Sequence, residues 1–185
     1  MSSATKDHVS TDFLQPSLIG NNINLSPLEE GDFDSLYCAA SDPLIWQNHP
    51  SPNRFKREEF CKWFESAIQS GSTLIVRERE TGQVIGSSRY YEYDEILSEV
   101  SIGYTFLVRS HWGGVTNSEL KQLMLKHAFQ KVEAVWFHVD VTNIRSQKAM
   151  EKIGGIFSHT AEKTLLGRIG NYMFYKIERG DFVKI

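Results

Sequence analysis

Cysteine is scarce in this chain. Of 185 residues only Cys38 and Cys61 are cysteines, with neither CxxC spacing nor a histidine pair beside them. A disulfide framework and a cysteine-built metal centre are therefore set aside, and both residues are read as reduced core thiols. The six histidines are scattered without metal-ligand spacing, and no GxxxxGK[ST] loop occurs, which excludes the usual zinc hydrolase and P-loop signatures. Neither sign of charge dominates: the formal net charge is −3, too small an imbalance for a nucleic-acid binder held by bulk electrostatics. No apolar run approaches the ~18 residues of a membrane span. The opening stretch MSSATKDHVSTDF has no apolar core of the kind a secretory signal carries. The expectation is a cytoplasmic protein with no metal, no membrane and no nucleic-acid partner.

What is present is ordinary globular composition, 41% hydrophobic and 23% charged, in a length that suits one domain. Residues 1–15 are polar and read as a flexible N-terminus; residues 16–185 read as the folded domain. A strand is expected over Asn22–Leu28. A helix over Glu29–Ala40 follows from Phe33, Leu36, Tyr37 and Ala40 at helical spacing. DPLIWQNHPSPN, with three prolines, is a loop. A second helix is expected over Arg57–Gln69. Strands follow over Thr73–Arg77, Gln83–Tyr93 and Leu97–Val108, the first two joined by a glycine-containing turn. Leu120, Leu123, Met124, His127 and Ala128 mark a third helix. AVWFHVDV (Ala134–Val141) reads as a buried strand, and Arg145–Ile153 as a helix ended by Gly154-Gly155. Two strands, Gly155–Thr160 and Asn171–Glu178, close the chain. Three consecutive strands favour antiparallel pairing, and the strand–helix–strand from Glu99 to Val141 favours a parallel crossover. The fold class is therefore α/β (α+β): a mixed, mostly antiparallel central sheet with helices on both faces.

The stretch RSHWGGVTNSELK lies where a strand turns into a helix. Glycines there allow an anion to approach backbone N–H groups at a helix start. The same stretch contains Thr116-x-x-Glu119, a capping-box pattern that would satisfy those donors internally. Spacing alone does not choose between a phosphate cradle and a capped turn.

The motifs resemble those of the GNAT acetyltransferases, in the branch of the ribosomal-protein N-acetyltransferases. They are Ile102-Gly-Tyr104, Trp112-Gly-Gly-Val-Thr-Asn-Ser-Glu119, KQLMLKHAF, and Val141-Thr-Asn-Ile-Arg-Ser-Gln-Lys-Ala-Met-Glu-Lys-Ile-Gly154. The resemblance runs over about residues 20–180. It implies acetyl-CoA as co-substrate, with its pyrophosphate against His111, Trp112, Gly113, Gly114, Val115, Thr116 and Asn117. It also implies an acyl arm along Ile102, Gly103 and Tyr104, whose backbone polarises the thioester carbonyl. The usual loop has further glycine or small residues where this chain has Val115 and Asn117.

The resemblance further implies an amine acceptor, either a small molecule or a protein N-terminus, and these folds can form homodimers through sheet edges or terminal strands. Asn143 is the expected holder of the pantetheine arm and a cap for the following helix. Ser146, on the same helix side, is the expected proton donor to the departing thiolate. Relatives often carry glutamate immediately before Ile-Gly-Tyr; here the residue is Ser101. Glu99, two residues earlier on the same strand face, is the substitute general base, acting directly or through water and Ser101. A non-catalytic acyl-CoA-binding or regulatory module on the same fold is the alternative reading. The loop Trp46–Pro50 is a candidate wall of the acceptor site.

Overall fold

The structure, a computed structural model, describes residues 13–47 and 49–182. Eight strands form one sheet in the order β1-β2-β3-β4-β5-β6-β8-β7. β1 (Leu18–Ile19), β2 (Ile23–Pro27), β3 (Thr73–Glu78), β4 (Val84–Asp94) and β5 (Glu99–Leu107) pair antiparallel in succession. The step from β5 to β6 (Ala134–Asp140) is parallel and crosses over through helix α3 (Thr116–Ala128), as a strand–helix–strand connection of this length requires. β8 (Arg168–Glu178) returns antiparallel on β6, and β7 (Ile156–Leu165) forms the edge. The remaining helices are α1 (Phe33–Ala40), α2 (Arg57–Gln69), α4 (Ile144–Lys152) and the single turn α5 (Arg179–Phe182). This is the mixed sheet with helices on both faces that the element order implies.

The two faces carry separate cores. Leu120, Met124, Leu125 and Ala128 of α3 pack on Ile23, Leu74, Val76, Val100 and Ile102 on one side. Phe60, Trp63 and Phe64 of α2 and Leu36 of α1 pack on Ile75, Val84 and Phe106 on the other. Alternation along β3 explains the division: Leu74 and Val76 point one way and Ile75 the other.

Several elements depart from the sequence reading. Residues 1–12 of the expected flexible N-terminus lie outside the described residues, but Phe13 is buried against Tyr90, Tyr93 and His127. His127 is an edge histidine whose Nε2 lies 2.8 Å from the Phe13 carbonyl. Neither cysteine is a core thiol. Cys38 is exposed and Cys61 half-buried, because α1 buries Leu36, Ala39 and Ala40 instead and the Cys61 Sγ faces Glu65 on the outer side of α2. β7 and β8 continue well beyond their expected ends into a hairpin whose two-residue turn, Leu166-Gly167, has φ of 49° and 72°. That is the positive-φ pair of a tight hairpin. Its exposed, mixed residues give little periodic signal.

The strict alternation expected along β5 fails at one point. Arg89 pairs with Gly103 and Ser87 with Phe106, so one residue of β4 faces two of β5. This is a β-bulge, with Tyr104 at φ 52°. Val100 and Ile102 therefore join the α3-side core while Phe106 joins the α2-side core.

Candidate active site

The bulge opens the molecule. The β5–β6 ladder covers only Glu99–Ala134, Val100–Val135 and Ser101–Trp136. A bulge bends and over-twists its strand, and beyond Ser101 the two strands have no pairing. Between them lies a cleft of about 810 Å³. The N-terminal ends of α3 and α4 both border it, with the loop before α2 and the tip of the β7–β8 hairpin on its other side.

The glycine turn supplies its first wall. Gly113 sits at φ 74°, a conformation that favours glycine, and a Cβ built on either Gly113 or Gly114 meets nothing within 4 Å. The helix that follows is not capped by a side chain. Its N-cap is Val115, which has no capping oxygen, and the Thr116–Glu119 box is not formed. Glu119 instead accepts from the Asn22 N–H at 2.9 Å and Asn22 Nδ2 at 2.7 Å, tying α3 to the β1–β2 turn. The N–H groups of Thr116, Asn117 and Ser118 have no acceptor among the described residues. An uncapped helix start with orphan donors, a partial charge of about +0.5 and an open glycine cradle has the chemistry of an oxyanion site.

The flanking basic side chains are otherwise engaged. Arg109 hydrogen-bonds and ion-pairs with Asp42, and His111 Nε2 lies 3.6 Å from Glu78. His111, Trp112, Gly113, Gly114 and Asn117 line the cleft. Val115 projects to solvent and the Thr116 side chain is buried, so only their backbone can serve an anion there.

The start of α4 forms the facing wall. Asn143 Oδ1 accepts from the Ser146 N–H at 3.2 Å, a side-chain N-cap. The Asn143 Nδ2 and the Ser146 hydroxyl, both on cleft-lining residues, have no protein partner among the described residues. Arg145 lies with its guanidinium carbon 3.8 Å from the Trp112 ring centroid, a cation–π contact joining this wall to the glycine turn.

Along β5, Ile102, Gly103 and Tyr104 line the cleft. Gly103 is required by packing, since a Cβ there would stand 2.9 Å from the Tyr91 ring. Ser101 is buried within the paired part of the strand, and Glu99 lies farther down, 3.6 Å from Lys176 Nζ. Neither belongs to the cleft lining. The two carboxylates that do, among the described residues, are Glu59 and Asp140. The first pairs with Lys62 at 2.7 Å, and the second accepts from the Thr142 backbone and hydroxyl.

Four polar groups at the cleft escape a sequence reading. Lys121 of α3 is only 3% exposed, with Nζ 2.7 Å from Thr105 Oγ1, and Thr105 in turn contacts Ser88. Burial pushes its ammonium down to about 7. The available signal was its spacing: Lys121 precedes Met124, Leu125 and Ala128 by three, four and seven residues, so a lysine stands within the buried stripe. Tyr91 OH and His138 Nδ1 lie 2.7 Å apart at the β4–β6 side, and burial holds His138 neutral at about 3. Arg54, 7% exposed, lies over Trp46 and Trp63 at 5.1 and 5.6 Å. Arg54 comes from an irregular loop, where no periodicity marks burial. No group of three or more metal-ligating side chains occurs among the described residues.

A model of the acetyltransferase (GNAT) domain matches residues 22–156, while no curated protein matches significantly. Among solved structures, a GCN5-related N-acetyltransferase from Brucella melitensis superposes with a TM-score of 0.79 at 19% identity, covering 91% of this chain and 81% of that one. A ribosomal-protein-serine acetyltransferase-like protein from Vibrio cholerae gives 0.74 at 14%, with 88% and 97% covered. The spermidine N-acetyltransferase of Vibrio cholerae, solved with CoA and spermine, gives 0.67 at 17%, with 89% and 99% covered. At these identities the structures speak for the fold alone. The family match covers most of the chain and includes the glycine turn, the splayed strands and the Asn143-capped helix: this protein is a member of the GNAT acetyltransferase family.

Proposed function

We propose that this protein transfers the acetyl group of acetyl-CoA to a primary amine. The observation that carries the reading is the uncapped start of α3 opening on the β5–β6 cleft. There the N–H groups of Thr116, Asn117 and Ser118 and the Gly113-Gly114 cradle suit a pyrophosphate. The edge of β5 from Ile102 onward has no strand beside it on the β6 side, so it can pair with an extended, amide-bearing pantetheine arm. Asn143 Nδ2 is suited to hold that arm from the facing wall.

The chemistry then needs little more than position. The amine nitrogen attacks the thioester carbonyl carbon, the C–S bond breaks, and the amide forms. A backbone N–H at the bulge steadies the carbonyl oxygen. The Ser146 hydroxyl gives a proton to the sulfur and recovers one from the attacking nitrogen through solvent. Glu99, held by Lys176 outside the cleft, takes no part in this scheme, and among the described residues no unengaged carboxylate lines the cleft to replace it. The amine must therefore enter neutral.

That missing carboxylate is also the observation that favours the second reading, a non-catalytic acyl-CoA-binding module. Release of free CoA thiol with an amine panel separates the two. Turnover with at least one amine, lowered in Ser146→Ala at unchanged acetyl-CoA affinity, supports the enzyme. Tight acetyl-CoA binding with no turnover on any amine supports the module, and no binding at all overturns both.

A further inference from the structure

The cleft spans the sheet from one face to the other, and its two ends differ in chemistry. α3 and its open N-terminus approach from the face of the first core; Arg54 lies on the opposite face, over the Trp46 and Trp63 of the second. Arg54 is 93% buried by the 7% exposure above, lines the cleft, and donates no side-chain hydrogen bond to any described residue. Burial lowers its guanidinium only to about 10, with Arg89 and Arg168 contributing, so it is charged at neutral pH. Arg89, 4% exposed, stands 4.8 Å from the Tyr104 ring with Nη2 unpartnered and Nε bonded to Thr73. Arg168 reaches the same mouth from the hairpin tip. Burial first, then the charges of Arg54, Arg145 and Arg168 against an opposing Asp140, hold the His49 imidazole down at about 3. Among the described residues no carboxylate forms an ion pair with these arginines: Glu59 pairs with Lys62, and Asp140 accepts from Thr142.

A buried, unpaired guanidinium is costly unless an anion reaches it. We propose that the acceptor amine is a small molecule that itself carries an anionic oxygen group, a carboxylate or a phosphate, which pairs with Arg54 while the amine faces the thioester. The proposal rests on the acetyl-transfer reading and names its substrate class. Polycationic amines are disfavoured by the same charges, which sets this protein apart from the spermidine acetyltransferase that shares its fold. Arg54 is 7% exposed and lines the cleft, so the anion must enter the cleft to meet it.

The test compares charged acceptors with uncharged partners. Amino acids are set against their carboxamides, O-phosphoethanolamine against ethanolamine, and spermidine is included as polycation. Binding to the CoA-loaded protein is measured by calorimetry, and transfer by CoA thiol release. The expected result is preference for at least one anionic member by about 10- to 100-fold, the range of a charge-assisted hydrogen bond. The preferred pair tells carboxylate from phosphate. In Arg54→Met the ratio should fall to about one, with acetyl-CoA affinity unchanged. Equal binding of charged and uncharged partners, or preference for spermidine, overturns the proposal without any variant. Weakened acetyl-CoA binding in Arg54→Met, with the acceptor ratio kept, also overturns it by assigning Arg54 to a cofactor phosphate. Discrimination in binding without turnover on any amine upholds the anion site and fails the acetyl-transfer reading, so the two failures are distinguishable.

Discussion

Replacing Lys121 with methionine tests whether the buried lysine of the cleft is a liability to the fold. The two side chains have similar length, and Met124 and Phe137 already surround the position with apolar surface. In the folded protein burial takes the ammonium from its ordinary 10.5 to about 7. At roughly 1.4 kcal/mol per pH unit, that fall corresponds to a cost of about 5 kcal/mol below pH 7. The hydrogen bond to Thr105 recovers part of it, leaving an expected gain of about 2–4 kcal/mol for Lys121→Met. In a chain of this size that is a rise of roughly 4–16 °C in Tm. The sign of the pH dependence is fixed by linkage. The folded value lies below the unfolded one, so between pH 7 and 10.5 the unfolded chain holds the extra proton and wild-type stability rises relative to the variant. The advantage of Lys121→Met is therefore full below pH 7 and shrinks steadily as pH rises from 7 towards 10.5. Denaturant unfolding of both proteins at pH 6 and pH 9 measures it. A variant no more stable than wild type, or a gap that does not shrink with pH, would refute the argument.

Gly114→Val should leave Tm unchanged, since a side chain meets nothing there. It should lower kcat/KM for acetyl-CoA relative to acetyl-pantetheine, which lacks the pyrophosphate; an unchanged ratio reduces the glycine turn to a connector. Asn143→Ala removes both the α4 cap and the candidate contact to the pantetheine arm. It should cost about 0.5–2 kcal/mol of stability and weaken acetyl-CoA binding up to roughly tenfold, and calorimetry on the folded variant that finds no change assigns Asn143 to capping alone. Phe13→Ala should destabilise by about 3–5 kcal/mol, read by chemical denaturation; a loss under 1 kcal/mol would mean that the segment contributes little to the core.

The elements that bury a regular stripe were legible from the sequence. Arg57–Gln69 is helical over the expected residues because Phe60, Phe64 and Ile68 repeat at its period, and β6 follows from the apolar run Ala134–Phe137 and Val139 beyond it. Features set by a single irregular residue were not. The bulge at Tyr104 turns on one extra residue in β5, visible only against its partner β4. The capping box at Thr116 is a valid pattern that lost to tertiary structure, because Asn22 claims Glu119 from 97 residues away. For the same reason Glu99 shared the right face with Ser101 but lay beyond the end of the cleft, next to a lysine on a strand late in the chain. Arg54 and Lys121 were hidden by the usual rule that such residues are solvated, although Lys121 broke that rule in its spacing.

The bulge gives β5 an unusual kind of fragility. Strand pairing counts residues and is largely indifferent to which they are. At Tyr104-Thr105 the count is two against the single Ser88, and this surplus is what turns Tyr104 toward the arginines and Thr105 toward Lys121. Most substitutions at either position would keep the surplus. Deleting either residue would restore an even ladder with β4, straighten the strand and favour its zipping onto β6. The cavity would then be lost although no glycine, asparagine or serine of its walls had changed. Sequences descended from this one should accordingly keep the length of this segment even where the residues at these two positions change.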